Sequence, residues 1–264
     1  MVSADQVVRV WNNEGVATLE IDHPPVNSLS AEVVNQLTGV LQKMEGDPQV
    51  RAVIITGSGE KAFVAGANIK EFPDWIGKGE EVAEEKSKWL QHPFDLLDQL
   101  SKPTIAAING LALGGGCELA LACDLRIAEE HAQIGLPEIT LGLFPGAGGT
   151  QRLPRLVGEG KAKELMFTGE PVSAREALRI GLVNIVVPQG KALKKAQELA
   201  EKISGYSLPA LSLMKKAITE GRNESLERGL AVEAKYFGKV FQTEDVKEGV
   251  SAFIEKRRPT FTHQ

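Results

Sequence analysis

Cysteine is nearly missing from this chain. Cys117 and Cys123 are the only two, six positions apart in an apolar run, and that spacing builds neither a disulfide framework nor a metal site. Both are expected as reduced core residues. Histidine is scarce as well: His23, beside two prolines, His92, before Pro93, and His131, after two glutamates, read as loop or surface residues outside the chemistry. Positive charge is not in excess, since the net charge is −5 and the pI about 5.6, which argues against a nucleic-acid partner. The first residues have no basic stretch followed by an apolar one, so no secretory signal is visible and a cytoplasmic location is expected. The longest apolar run, residues 105–123, imitates a membrane span, but Asn109, Glu118 and four glycines make it a buried core, and no membrane association is expected. Internal repeats, low-complexity tracts and linkers are absent by inspection.

What is present is an ordinary composition, 42% hydrophobic and 25% charged over 264 residues, enough for a large core and a smaller appended part. Residues 7–11 and 16–21 read as a hairpin turning over residues 12–15. Ser30 caps a helix to about residue 44, and residues 53–56 form a buried strand. Residues 74–100 are charge-rich, a solvated helix or lid broken near His92-Pro93. Strands follow at 103–109 and 125–128 with a helix between them, and a last short strand at 183–187. The rest of the last hundred residues is helical, with Gly169, Gly181, Gly205 and Gly221 as stops. The class is α/β with a helical C-terminal region.

The chemistry-bearing stretch is residues 102–143, where one glycine run and two isolated glutamates stand in apolar sequence. Gly114, Gly115 and Gly116 leave the backbone bare where a helix begins, a place with unpaired N–H groups. Glycines alone fit close packing equally well. Glu118 follows in the first turn of that helix, and a carboxylate among apolar neighbours is either stabilised by the helix dipole or kept for proton transfer. Twenty positions on, Glu138 is again the sole charge in its neighbourhood, on an irregular turn marked by Pro137. With a strand between the two, the chain can return and point Glu138 at Glu118, and facing carboxylates can hold a water between them. Residues 63–70 are small and nearly uncharged, which lets backbone approach a ligand. Residues 144–152 look like a phosphate loop but carry neither a closing Lys-Ser/Thr nor the third glycine of a dinucleotide fingerprint.

The runs IAAINGLALGGGCELALACDLRIA and LPEITLGLFPGAGGTQRLPRLVG, with FVAGANIKEF and EGVSAFIEKRRP, resemble the enoyl-CoA hydratase (crotonase) family, its bacterial short-chain members in particular. That resemblance implies a crotonase (ClpP-like) ββα spiral core with two sheets, residues 1–200, and a helical oligomerisation region, residues 201–264, assembling as a trimer or dimer of trimers. It implies an acyl-CoA substrate, coenzyme A being part of it, with no separate cofactor and no metal. The activity implied is reversible syn hydration of a 2-enoyl-CoA in acyl-CoA breakdown. By the same likeness, Glu118 activates water, Glu138 protonates the α-carbon, the Ala67 and Gly115 N–H groups form the oxyanion hole, and Gly146 orients the water. Ala65, Asn68, Ile69 and Lys70 line the ligand, Asn68 standing where many relatives carry Asp, while Lys61, Lys70 and Lys256 match cations near the CoA phosphates, Lys256 toward a neighbouring subunit's ligand. Other activities on this fold, an isomerase, a decarboxylase or a thioester hydrolase, share the oxyanion hole, but isomerases commonly keep one glutamate. A non-catalytic RNA-associated relative fits the acidic balance poorly.

Overall fold

In the computed structural model, which describes residues 6–263, the chain opens with a hairpin: β1 (Val8–Asn13) and β2 (Val16–Ile21) pair antiparallel, Asn13 against Val16. The connection is only Glu14-Gly15, with φ of 50° and 89°, the left-handed pair that lets a two-residue turn follow the strand twist. Asn12 and Asn13, expected in the turn, are therefore strand residues. The Asn12 side chain closes the turn from within the strand, its Oδ1 accepting from the Gly15 N–H at 3.1 Å.

The chain continues as α1 (Ala31–Gly46), β3 (Ala52–Gly57), β4 (Ala62–Ala65), α2 (Glu80–Gln99), β5 (Thr104–Ile108), β6 (Leu111–Leu113), α3 (Gly115–Ala122), β7 (Leu125–Glu129) and β8 (Gln133–Gly135). Then come α4 (Gly149–Val157), α5 (Glu159–Thr168), β9 (Val172–Ser173), α6 (Ala174–Arg179), β10 (Ile185–Val187) and the helices α7 (Ala192–Ser204), α8 (Leu208–Gly221), α9 (Leu226–Val240) and α10 (Glu244–Ile254). Short 3-10 turns occupy Ile69–Asp74 and Pro137–Leu141. Ser30 caps α1 as expected, its hydroxyl accepting from the Val33 N–H at 3.3 Å.

Among the described residues ten strands form two sheets, β1-β2-β3-β5-β7-β10 and β4-β6-β8-β9. Apart from the edge pairs β1/β2 and β8/β9, every pairing is parallel. In the large sheet successive residues of β3 and β5 serve two different cores. Val53, Ile55, Ala106 and Ile108 face the main cluster, while Ala52, Ile54, Ile105 and Ala107 face a second one. That is the period-2 geometry of a strand with both faces covered, and it explains the continuous apolar runs. The second core is closed by α7, whose Ala192, Ala196 and Ala200 recur every four residues and let the helix lie close to the sheet. The expected boundary at residue 200 thus falls inside a helix that packs with the sheet, and the chain leaves the core after Ser204.

One helix end differs from expectation. α2 runs unbroken through His92 and Pro93. A proline removes one helical N–H and usually kinks or ends a helix, but here Pro93, Phe94 and Leu97 form its buried face, and burial of that face outweighs the lost bond. The second sheet also rests on strands of only two to four residues.

α3 meets β4 at Gly116, where an added Cβ would lie 1.8 Å from the Val64 carbonyl oxygen, against backbone that cannot swing aside. Gly116→Ala is expected to cost about 3 kcal/mol or more. Gly160→Ala in α5, where nothing lies within 4 Å of the added atom, is expected to gain roughly 0.5–1 kcal/mol. Urea midpoints of the two variants check this contact, and a wild-type midpoint for Gly116→Ala would refute it.

Candidate active site

Three parallel strands of the small sheet end together. Ala65 of β4 is paired with Leu113 of β6, and Leu113 with Gly135 of β8. Past these carboxyl ends the chain continues as Gly66-Ala67, Gly114-Gly115 and the turn that carries Glu138. The Gly114 N–H donates to the Gly135 C=O at 2.9 Å, tying the second exit to the third. Crevices beyond the carboxyl ends of parallel strands are where open α/β sheets bind ligands.

Glycine is required here for two reasons. Gly114 has a φ of 54°, and a Cβ there would meet Glu138 Oε1 at 3.0 Å and Gly66 Cα at 3.5 Å; one at Gly115 would lie 3.7 Å from the Ala67 nitrogen. The backbones of Ala67 and Gly115 are therefore neighbours. Leu29 bridges across Ala67, donating to the Gly66 C=O at 2.9 Å and accepting from the Asn68 N–H at 3.0 Å, which leaves the Ala67 N–H out of the ladder. Gly115 opens α3, where leading N–H groups have no partner in the helix. Among the described residues neither N–H donates a hydrogen bond.

Glu118 lies one turn into α3 and is only 3% exposed. Its Oε1 accepts from the Ala147 N–H and from the Gly149 N–H, each at 2.8 Å. Gly149 begins α4, and Gly148 caps it with a φ of 111°. The glycine-rich loop that fails as a phosphate loop thus does bind an anion at a helix N-terminus, and the anion is the chain's own carboxylate. Ala147 and Gly149 are the two donors to Glu118 that the sequence did not reveal. The signal for them was the start of α4 after Gly148, too short a helix for its period to be read.

Burial pushes the Glu118 carboxyl up to about 7; the Gly149 and Ala147 N–H groups and the Arg152 guanidinium pull against that rise, and the Glu138 charge adds to it. Glu138 is raised as well, chiefly by burial. Its Oε2 is sealed from solvent with no hydrogen-bond partner among the described residues. The structure therefore brings together two carboxyls of raised proton affinity, near enough for the Glu138 charge to act on Glu118, beside two unused amide donors. Cys117, next to Glu118, is fully buried, and burial holds its thiol far above the ordinary range; with Cys123 it is the inert core residue expected.

The other expected residues take varied places. Ala65 ends β4, half-buried, and its N–H donates to the Val26 C=O at 3.0 Å. Asn68 donates from Nδ2 to Glu71 Oε1 at 2.9 Å, and Ile69 and Lys70 are exposed on the 3-10 turn that follows. Lys61 is exposed just before β4. Gly146 adjoins the Glu118 clamp, its C=O accepting from Ser87 and Gln91. Lys256 is exposed beyond α10, in the C-terminal helical region. Outside the expected set, Asn27 is buried and taken up by structure, its side chain bonding Ser58, Ala62 and His23 backbone.

A family profile described as enoyl-CoA hydratase/isomerase matches residues 12–264, nearly the whole chain. The chain belongs to that family. Within the enoyl-CoA hydratase/isomerase family it is 46% identical to a short-chain-enoyl-CoA hydratase of Clostridium acetobutylicum, over 94% of this chain and 95% of that one. It is 45% identical to a crotonyl-CoA hydratase of Syntrophomonas wolfei, with 94% and 95% covered. Among solved structures, an enoyl-CoA hydratase from Bacillus anthracis matches with a TM-score of 0.92 and 44% identity, covering 98% of this chain and 100% of that one. The crotonase fold expected from the resemblance is the fold observed. No helix among the described residues is long and apolar enough to cross a membrane.

The Glu118 environment sets a stability signature. A carboxyl whose folded pKa exceeds its unfolded value favours the folded state at low pH and loses that contribution as pH rises through the folded value. The window runs from 4.5 to about 7. Glu118→Gln is expected to gain stability on the parent progressively across that window, by up to about 3 kcal/mol, and then level off. Unfolding free energies of both proteins at several pH values measure it, and a pH-independent difference would contradict the assignment.

Proposed function

We propose that the protein adds water reversibly across the double bond of a 2-enoyl-CoA, giving a 3-hydroxyacyl-CoA. The observation that carries the reading is the pair of carboxyls raised in proton affinity, Glu118 buried and Glu138 half-buried with one oxygen sealed, beside the free Ala67 and Gly115 N–H groups. Glu118, its Oε1 held by two backbone donors that favour the anion, takes the proton of water as the water oxygen bonds to the β-carbon. Glu138, with no donor on its buried Oε2, is suited to be the proton-bearing partner and delivers a proton to the α-carbon. As the β-carbon is attacked, negative charge moves onto the thioester oxygen, and two fixed amide donors stabilise that enolate; one such donor is typically worth ~10²–10³ in rate. Both carboxyls attend one face of the alkene, so the addition is syn. The water oxygen adds with one of its hydrogens, and the proton Glu118 takes makes good the one Glu138 gives once the two carboxyls re-equilibrate with solvent, so the reading calls for no redox cofactor and no metal. An isomerase needs one carboxyl to move a proton between carbons, and the retention of both favours hydration.

Gly146 would orient the water, Ala65, Asn68 and Ile69 would line the ligand, and Lys61 and Lys70 would meet the CoA phosphates. Glu118→Gln and Glu138→Gln are each expected to keep the fold and lose about 10²–10⁴ in kcat, followed by the fading conjugated absorbance of a short-chain enoyl-CoA. In the parent, kcat/KM should climb with pH through about 7 as Glu118 ionises. Near-normal turnover by both variants would remove the assignment.

The region after Ser204 is read as the oligomerisation part, in a cytoplasmic trimer or dimer of trimers, with Lys256 serving a neighbouring copy's ligand. What supports it is apolar surface: Phe237, Phe253 and Ile254 on α9 and α10 are 64%, 85% and 73% exposed, large apolar side chains of the kind a neighbouring subunit covers. Light scattering is expected to give three or six times 28.4 kDa, falling on Phe253→Asp; a monomeric parent at micromolar concentration would overturn this.

A further inference from the structure

One face of α2 reaches the loop that holds Glu118. Ser87, Gln91 and Asp95 follow one another at intervals of four and so stack on a single side of the helix. Ser87 Oγ donates to the Gly146 C=O at 2.6 Å, and Gln91 Nε2 donates to the same oxygen at 2.8 Å and to Ser87 Oγ at 3.1 Å. One turn on, Asp95 Oδ1 accepts from Arg152 Nη2 at 2.7 Å, and Arg152 Nη1 donates to the Ala147 C=O at 3.2 Å.

The Gly146 C=O and the Ala147 N–H belong to one peptide unit. A trans peptide is planar, with its C=O and N–H pointing in opposite directions. Two donors pinning the oxygen therefore fix where the N–H on the far side points, and that N–H is one of the two on Glu118 Oε1. Donors on the oxygen also polarise the amide and strengthen the bond its hydrogen makes. We propose that Ser87 and Gln91 are positioning residues for the hydration: through the Gly146–Ala147 peptide they aim the donor that orients Glu118 and keeps it ready to accept a proton.

The inference rests on the reading of Glu118 as the group that takes the water proton. The other titratable groups facing Glu118 stay in place when Ser87 or Gln91 is cut back: Glu138 from its turn, Arg152 from α4 and the Cys117 thiol from α3. The charged group contributed from this face of α2, Asp95, is engaged with Arg152. Removing the α2 donors thus weakens one stabiliser of the Glu118 anion and leaves the rest.

The test uses the full-length protein and a short-chain enoyl-CoA. Ser87→Ala with Gln91→Leu is expected to lower kcat about 10- to 100-fold with KM within about threefold, and to move the low-pH limb of kcat/KM to higher pH. Ser87→Thr, which keeps the hydroxyl, is expected to restore the parent limb. A second reading comes from the carboxyl ¹³C titration of Glu118, whose midpoint should rise in the double variant at unchanged Tm. If Glu118→Gln is inactive but the double variant keeps the parent kcat, limb and midpoint, the positioning role is refuted while the function stands. If Glu118→Gln is itself active, the Glu118 role on which the inference rests fails first. Should the double variant not fold, Gln91→Leu alone, with half of the pinning lost, decides by the same limb and midpoint.

Discussion

Everything at the site follows from the alignment of β4, β6 and β8, whose parallel hydrogen bonds make Ala65, Leu113 and Gly135 level with one another. Once those strands are in register, the segments that leave them must run side by side. Ala67, Gly115 and Glu138 are then neighbours although 71 residues of sequence separate the first from the last. A slip of one residue would turn every side chain to the opposite face. It would also separate the two amide donors, so the same ladder that builds the small sheet builds the crevice.

Burying Glu118 is costly, and the structure offsets that cost only in part. Two amide donors and Arg152 favour the anion, but burial still prevails, leaving the carboxyl near neutrality where it can both take and release a proton. Glu138 is left even less satisfied, with a sealed oxygen and no donor. Such incomplete compensation is what a group kept for proton transfer requires, whereas Lys102 gives its ammonium to three carbonyls at the end of α1 and Arg126 gives Nε and Nη1 to three others.

α2 has a double task. Phe94 and Leu97 anchor it in the main core, while a polar face four residues apart holds the loop before α4. The charge-rich character that reads as a solvated helix describes its outer side only. Beyond α7 the chain is held to the core by a few polar ties, Lys215 to Asp124 and Arg222 to Asp98 among them. Its apolar side chains there remain uncovered within one copy.

The elements long enough to show a period are legible in the residues alone: the hairpin strands, α1, the central strands of the large sheet and the C-terminal helices. So are Glu118, Glu138 and the glycine run, because an isolated charge and bare backbone in apolar sequence are visible without a fold. Family resemblance supplied the site roles and the two-sheet architecture. The small sheet escaped the pattern because strands of two to four residues carry no readable alternation, and α2 kept its Pro93 because tertiary burial overrode propensity. Composition and isolated polar residues thus fixed which groups were available; only the tertiary structure decided that Ala147 and Gly149 would hold Glu118 and that α2 would hold the Gly146 carbonyl before them. Those contacts run through backbone atoms, and a main-chain N–H has no letter of its own in the sequence.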